Sequence, residues 1–77
     1  MTIPRELDSV VLKRDLADSG LETGDIGTVV HVYEPRTAFE VEFITGKGST
    51  VAVLTLEKDD IRLLGGRDIL HARVLDT

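Results

Sequence analysis

The residues able to do chemistry are few: His31, His71, a carboxylate run at Glu57, Asp59 and Asp60, a glutamate pair at Glu40 and Glu42, and Ser9, Ser19 and Ser49. A zinc site needs three or four ligands converging at roughly 2.0–2.3 Å. The two histidines lie far apart in sequence with no H-x-x-x-H or H-E-x-x-H spacing, and cysteine is absent. Both histidines are therefore expected at the surface or rim. The Glu57–Asp60 run lacks the alternating oxygen ligands, bend glycine and terminal glutamate of a calcium loop. It is expected to solvate or cap a turn, with Asp59 or Asp60 as N-cap. None of the serines has a nucleophile-elbow context or a visible histidine–acid partner. Gly46–Lys47–Gly48–Ser49–Thr50 echoes a phosphate loop but lacks the G-x-x-x-x-G-K-[ST] spacing and the following helix, so a hairpin turn explains it. Glu40 and Glu42 stand side by side on one strand face, where paired carboxylates do acid–base work only if burial raises one pKa; facing solvent, they solubilise. No catalysis, metal, cofactor or small-molecule substrate is expected.

Charge is the next discriminator. With 9 basic and 14 acidic residues the net charge is −5. Nucleic-acid binding draws much of its affinity from lysine and arginine on phosphates, and here the basic residues are scattered. The rival reading is a nucleic-acid contact through Lys13, Arg14, Arg36 and Lys47, with Tyr33 or Phe39 as the base-stacking candidate. Because Phe39 shares a core face with Phe43, that platform is thin and nucleic acid is disfavoured. The absence of cysteine also excludes a disulfide scaffold and thiol chemistry. No apolar run approaches the roughly 18 residues that span a bilayer, and the N-terminus has no charged-then-apolar signal region. The expected setting is cytoplasmic.

The chain that must position these residues has 77 residues, enough for one domain that buries roughly 60% of its unfolded surface. Thr2–Arg5 reads as a lead-in ending at a proline turn. Val10 and Val11 favour a strand from Ser9 to Lys13. Ser19–Gly20 and Gly24–Asp25 then punctuate the chain and make Leu16–Glu22 a loop, with one helical turn as its alternative. Asp25 is placed to accept backbone N–H groups and hold the turn before the next strand, Thr28–Tyr33. Val29, Val30 and Val32 cannot share one pleated face, so a bulge near Val30–His31 or burial on both faces is required. Pro35 sits in a hairpin turn. Ala38–Ile44 alternates cleanly, with Phe39, Val41 and Phe43 on one face and Glu40 and Glu42 on the other. Thr50–Leu56 follows, with Ala52, Leu54 and Leu56 on one face and Val51, Val53 and Thr55 on the other. A 3₁₀ turn at Glu57–Asp60 and a short strand Ile61–Leu64 close the domain. In the tail, Leu70, Ala72 and Val74 alternate as a strand does, although Leu70 and Val74 also fit helical spacing.

Five short strands joined by tight turns must manage their edges, and closure into a barrel removes most of them. The order of a long first loop, three hairpin-linked strands, a 3₁₀ turn and a short last strand is that of an SH3-like barrel. The expected fold is therefore all-β: a small SH3-like barrel over residues 1–66 with a C-terminal extension at 67–77 that adds a strand. Gly24–Asp25–Ile26–Gly27–Thr28–Val29 resembles the glycine-centred strand opening of KOW-type SH3-like barrels. That opening, with Leu7–Leu12, Asp15–Leu16, Gly20–Leu21, Val30, Tyr33, Glu40–Phe43 and Thr55–Leu56, is similar to a family of small bacterial proteins known as domain of unknown function 4926. The resemblance runs from about Leu7 to Leu64. It departs at Ala17–Asp18, where the family pattern has a proline-containing pair, and in the tail. It implies a fold and an association with toxin–antitoxin-like gene pairs, and no catalytic residues.

What remains is apolar surface. Ile44, Val51 and Val53 fall opposite their strands' core faces, and Ile69, Leu70, Val74 and Leu75 follow a domain that is already complete. Exposing several such side chains forfeits roughly 1.5–3 kcal/mol each. Either the tail covers its own sheet, or these residues contact another chain. The expected function is a non-enzymatic protein-binding module, antitoxin-like or self-associating as a homo-oligomer, acting through Ile44, Val51, Val53, Ile69, Leu70 and Val74.

Overall fold

The computed structural model describes residues 3–75. Residues 1, 2, 76 and 77, and with them the ends of the expected lead-in and extension, lie outside the described residues. Five strands form where β-branched and alternating apolar residues predict them: β1 (Ser9–Leu12), β2 (Ile26–Tyr33), β3 (Ala38–Ile44), β4 (Thr50–Glu57) and β5 (Ile61–Leu63). They make one antiparallel sheet in the order β4-β3-β2-β1-β5. Two 3₁₀ turns, Ala17–Ser19 and Lys58–Asp60, complete the regular structure among the described residues. The first is the helical turn that stood as an alternative to a plain loop. The fold is all-β, as expected, but the ladder does not close, and β4 and β5 remain its two edges.

The core lies on the concave side of the bent sheet. Phe39, Val41 and Phe43 of β3 are buried, as the alternation requires, beside Val10 and Leu12 of β1 and Val29 of β2. Leu56 from one edge and Ile61 from the other join the same cluster, so the sheet curls over itself although its edges do not pair. Gly27 makes this approach possible. A Cβ there would lie 2.7 Å from Val41 Cγ1 and 2.8 Å from Phe43 Cε1, closer than carbon atoms tolerate.

Two bulges adjust which side chains face the core. In β2 the register slips between Val29 and His31, leaving Val30 as the extra, exposed residue and returning Val32 to the core side. In β4 the slip falls opposite Phe43 and Ile44, and Val51 is the extra residue. As a result Val51 and Ala52 both pack against the core. The strict two-residue period assigned Val51 to the outer face, and the bulge corrects that assignment.

Outside the core, side chains complete the ladder. Thr55 Oγ1 and Tyr33 Oη donate to Glu40, and Thr50 Oγ1 donates to Glu42 Oε2 at 2.8 Å. The Glu57 N–H donates to Asp60 Oδ2 at 2.9 Å, so the second 3₁₀ turn is capped at Glu57 with Asp60 closing it, instead of being capped by Asp59 or Asp60. The C-terminal segment corrects a further expectation: residues 64–75 form no strand. The Gly65–Gly66 turn is tied by Asp68, which accepts from the Gly65 N–H at 2.6 Å and from Arg62 Nη1 and Nη2 at 2.8 and 2.9 Å. The Arg62 guanidinium and the Gly65 N–H hold the Asp68 carboxyl down to about 2.

Candidate functional site

The loop between β1 and β2 builds the first wall of the candidate site. Leu16 and Leu21 form an isolated bridge, and Gly20 ends the first 3₁₀ turn in the left-handed region. Leu21 points into the core. Asp25 follows, and its carbonyl accepts from the Leu12 N–H at 2.9 Å, anchoring the loop to β1. Its carboxylate accepts from the Glu22 N–H at 2.9 Å, as expected of a residue that holds this turn.

The Asp25 carboxylate also does something the sequence did not signal. It is the one buried charged side chain among the described residues, and it receives the C-terminal segment. Arg73 donates to it from Nε at 2.9 Å and from Nη2 at 2.6 Å, and His71 Nε2 donates at 3.1 Å. The His71 ring rests over Gly24, where a Cβ would lie 3.7 Å from Nδ1. Arg73 additionally reaches the Gly20 carbonyl at 2.8 Å and Glu22 at 3.6 Å. Burial pushes the Asp25 carboxyl up. The hydrogen bonds from Arg73 and the Glu22 N–H, the Arg73 charge and the His71 bond outweigh it and hold the group below the usual carboxylate range. A bidentate arginine fork on a carboxylate is among the stronger polar contacts available to a protein.

The tail therefore folds back on its own sheet, but through polar groups. His71, Arg73 and Leu75 turn toward the domain, whereas Leu70 and Val74 face outward, 71% and 91% exposed. The alternation of Leu70, Ala72 and Val74 is real, and it points away from the core.

Between this segment and the end of the β3–β4 hairpin runs a groove of about 540 Å³. Ile44 and Val51 line it beside Phe43 and Leu21 on the side of the sheet, and His71, Arg73, Leu75 and the largely exposed Val74 line it on the side of the C-terminal segment. Three of the six residues expected to bind protein thus come together from β3, β4 and the tail. Val53 stands apart on the outer face of β4, 46% exposed, and Ile69 and Leu70 project from the tail without lining the groove.

The basic residues are not gathered. Arg14 is committed to Asp60 at 2.7 Å. Arg36 lies in the β2–β3 turn and Lys47 in the β3–β4 turn, at opposite ends of a seven-residue strand, which at roughly 3.3 Å per residue separates them by about 20 Å. Phe39 is wholly buried, leaving Tyr33 as the one exposed ring of the two stacking candidates. His31 stacks edge-on against Tyr33 with centroids 4.6 Å apart, and its Nδ1 lies 3.9 Å from Glu6. Among the described residues no group of three or more histidine or acidic side chains is placed to hold a metal ion, and no helix is long and apolar enough to cross a membrane.

No significant match was found among curated proteins or among solved structures. Residues 6–63, which include all five strands and the loop that carries Asp25, match the family model described as Domain of unknown function (DUF4926). The chain belongs to that family.

Proposed function

We propose that this chain is a non-catalytic protein-binding module whose contact surface is the groove between the β3–β4 hairpin and the C-terminal segment. One observation carries the reading: Ile44 and Val51, from two strands, and Val74, beside Arg73 and His71 in the C-terminal segment, line a single open groove. Exposed apolar side chains scattered singly are ordinary, but a contiguous set rimmed by polar groups marks a contact site. We read the curled sheet as an SH3-like barrel. The strand order β4-β3-β2-β1-β5 and the 3₁₀ turn between β4 and β5 support this. The narrower form of the reading is an antitoxin-like protein that binds a partner encoded beside it. A chain without cysteine suits the reducing cytoplasm.

The test is affinity capture from the native host, followed by mass spectrometry, with the full chain and with Ile44→Asp and Val74→Asp. A partner recovered in stoichiometric amount with the native chain and lost with both variants is the expected result. No stoichiometric partner, or one that both variants retain, overturns the groove as the contact.

A further inference from the structure

The groove leaves the backbone edge of β4 unused. β4 ends the sheet order, so among the described residues its outer edge pairs with no strand. Natural edges of this length are usually blunted by lysine, proline, bulges or a covering segment. β4, with the sequence TVAVLTLE, has no lysine or proline, and its single charge, Glu57, is its last residue. Its bulge at Val51 leaves the stretch from Ala52 onward regular. The first loop does not cover this edge: residues 14–19 face Leu54–Leu56 across an open groove of about 410 Å³.

We propose that β4 pairs antiparallel with β4 of a second copy of this chain, about a two-fold axis at Val53. Outward-pointing backbone groups recur at every second residue, so two identical strands can pair antiparallel only with the axis passing through a residue. At Val53 the opposed pairs within the regular stretch are Val53 with Val53 and Ala52 with Leu54, and the bulge at Val51 ends the regular pairing on each side. No charge meets a like charge. Val53, 46% exposed, covers its own counterpart, and the small Ala52 of one copy enters the open groove beside Leu54 of the other, while Thr50, beyond the bulge, stays on the outer face with its hydroxyl on Glu42. The same axis carries Lys47, in the β3–β4 turn, toward Glu57 and Asp59 of the second copy, and symmetry makes that contact twice. Lys47 has no ion pair within its own chain among the described residues. Each copy carries −5, so a neutral strand flanked by opposite charges is where two copies repel least. A heterologous strand would lack this self-complementarity.

This inference does not rest on the groove, and the experiments separate the two. Analytical ultracentrifugation of the full chain across the micromolar range is expected to show a dimer. Val53→Lys sets two ammonium groups opposite each other at the axis and is expected to raise the dimer dissociation constant by roughly tenfold or more, with an unchanged far-ultraviolet circular dichroism spectrum. Because the native chain has no cysteine, Val53→Cys introduces a single thiol at the axis. It is expected to form a disulfide-linked dimer under mild oxidation far faster than Ile69→Cys, whose side chain is 93% exposed on the tail. A monomeric native chain, or equal cross-linking rates for the two cysteine variants, overturns the proposal.

Discussion

Replacing Asp25 by asparagine tests whether the C-terminal segment is fastened by charge. The native carboxylate accepts from Arg73 at 2.6 and 2.9 Å, from His71 at 3.1 Å and from the Glu22 N–H at 2.9 Å. Asparagine offers one accepting oxygen and no charge, so the arginine fork on a carboxylate is reduced to the guanidinium donating to one uncharged oxygen. A hydrogen bond to a charged group contributes roughly 1.5–3 kcal/mol, and breaking a fully buried pair costs roughly 3–5 kcal/mol. The Arg73 side chain is 21% exposed and that of Asp25 11%, and the tail can turn its guanidinium into water, so the loss is expected at about 2 kcal/mol. For a domain of this size that lowers the melting temperature by roughly 10 °C. The assay is urea unfolding at neutral pH of the native chain, Asp25→Asn, Arg73→Ala and the double variant, with a coupling of about 1 kcal/mol or more between the two sites. The pH dependence has a fixed sign. Asp25 is held below its ordinary value of 3.8 in the folded state, so its contribution is complete above that pH and is lost as pH falls through the lower folded value. The gap between the native chain and Asp25→Asn should therefore be constant from neutral pH down to about 4 and narrow below it. Additive losses in the double variant, or a gap that persists in strong acid, would refute the fastening.

Two other substitutions probe the core. Gly27→Ala must push its methyl into Val41, Phe43 and the Glu42 carbonyl, the last at 3.0 Å, and is expected to cost about 1–3 kcal/mol in denaturant unfolding; a neutral result would mean that β2 and β3 separate more easily than described. Phe39→Ala empties the largest fully buried side chain and should cost about 3–5 kcal/mol, much of what a domain this small has to lose. A two-state unfolding curve close to native would show that the core is not centred there.

Much of the fold can be read from residue types because periodicity and turn chemistry agree. Phe39, Val41 and Phe43 are legible as core residues because Glu40 and Glu42 interrupt them at every second position. The bulge in β2 was legible for the same reason: three valines could not share one face. The bulge at Val51 was not, because Thr50–Leu56 alternates acceptably in either phase, and only the pairing of Thr50 with Ile44 next to that of Ala52 with Phe43 reveals the slip. Asp25 was legible as a turn residue but not as a tether. Its partners His71 and Arg73 follow two glycines and lie some forty-six residues away or more, beyond the reach of any local pattern. The tail misled for a physical reason. Leu70, Ala72 and Val74 alternate as they would in a strand, but the order arises because the intervening residues are drawn to a carboxylate, with no ladder involved. The convergence of Ile44, Val51 and Val74 depended on that same docking and could not be foreseen.

β1 sits between β2 and β5, and this has a consequence for how the chain is made. β2, β3 and β4 are a meander whose neighbours meet through short turns, so they can assemble as soon as they are synthesised. β1 emerges first, yet one of its flanks stays bare until Ile61–Leu63 has left the ribosome, since Val10 pairs with Leu63 and Leu12 with Ile61. Closing that loop is the costliest ordering step in the chain. A nascent protein arrested before β5 carries two unsatisfied flanks, one on its earliest strand and one on β4. It is in that interval that chaperone capture or misassociation with a neighbouring nascent chain would concentrate.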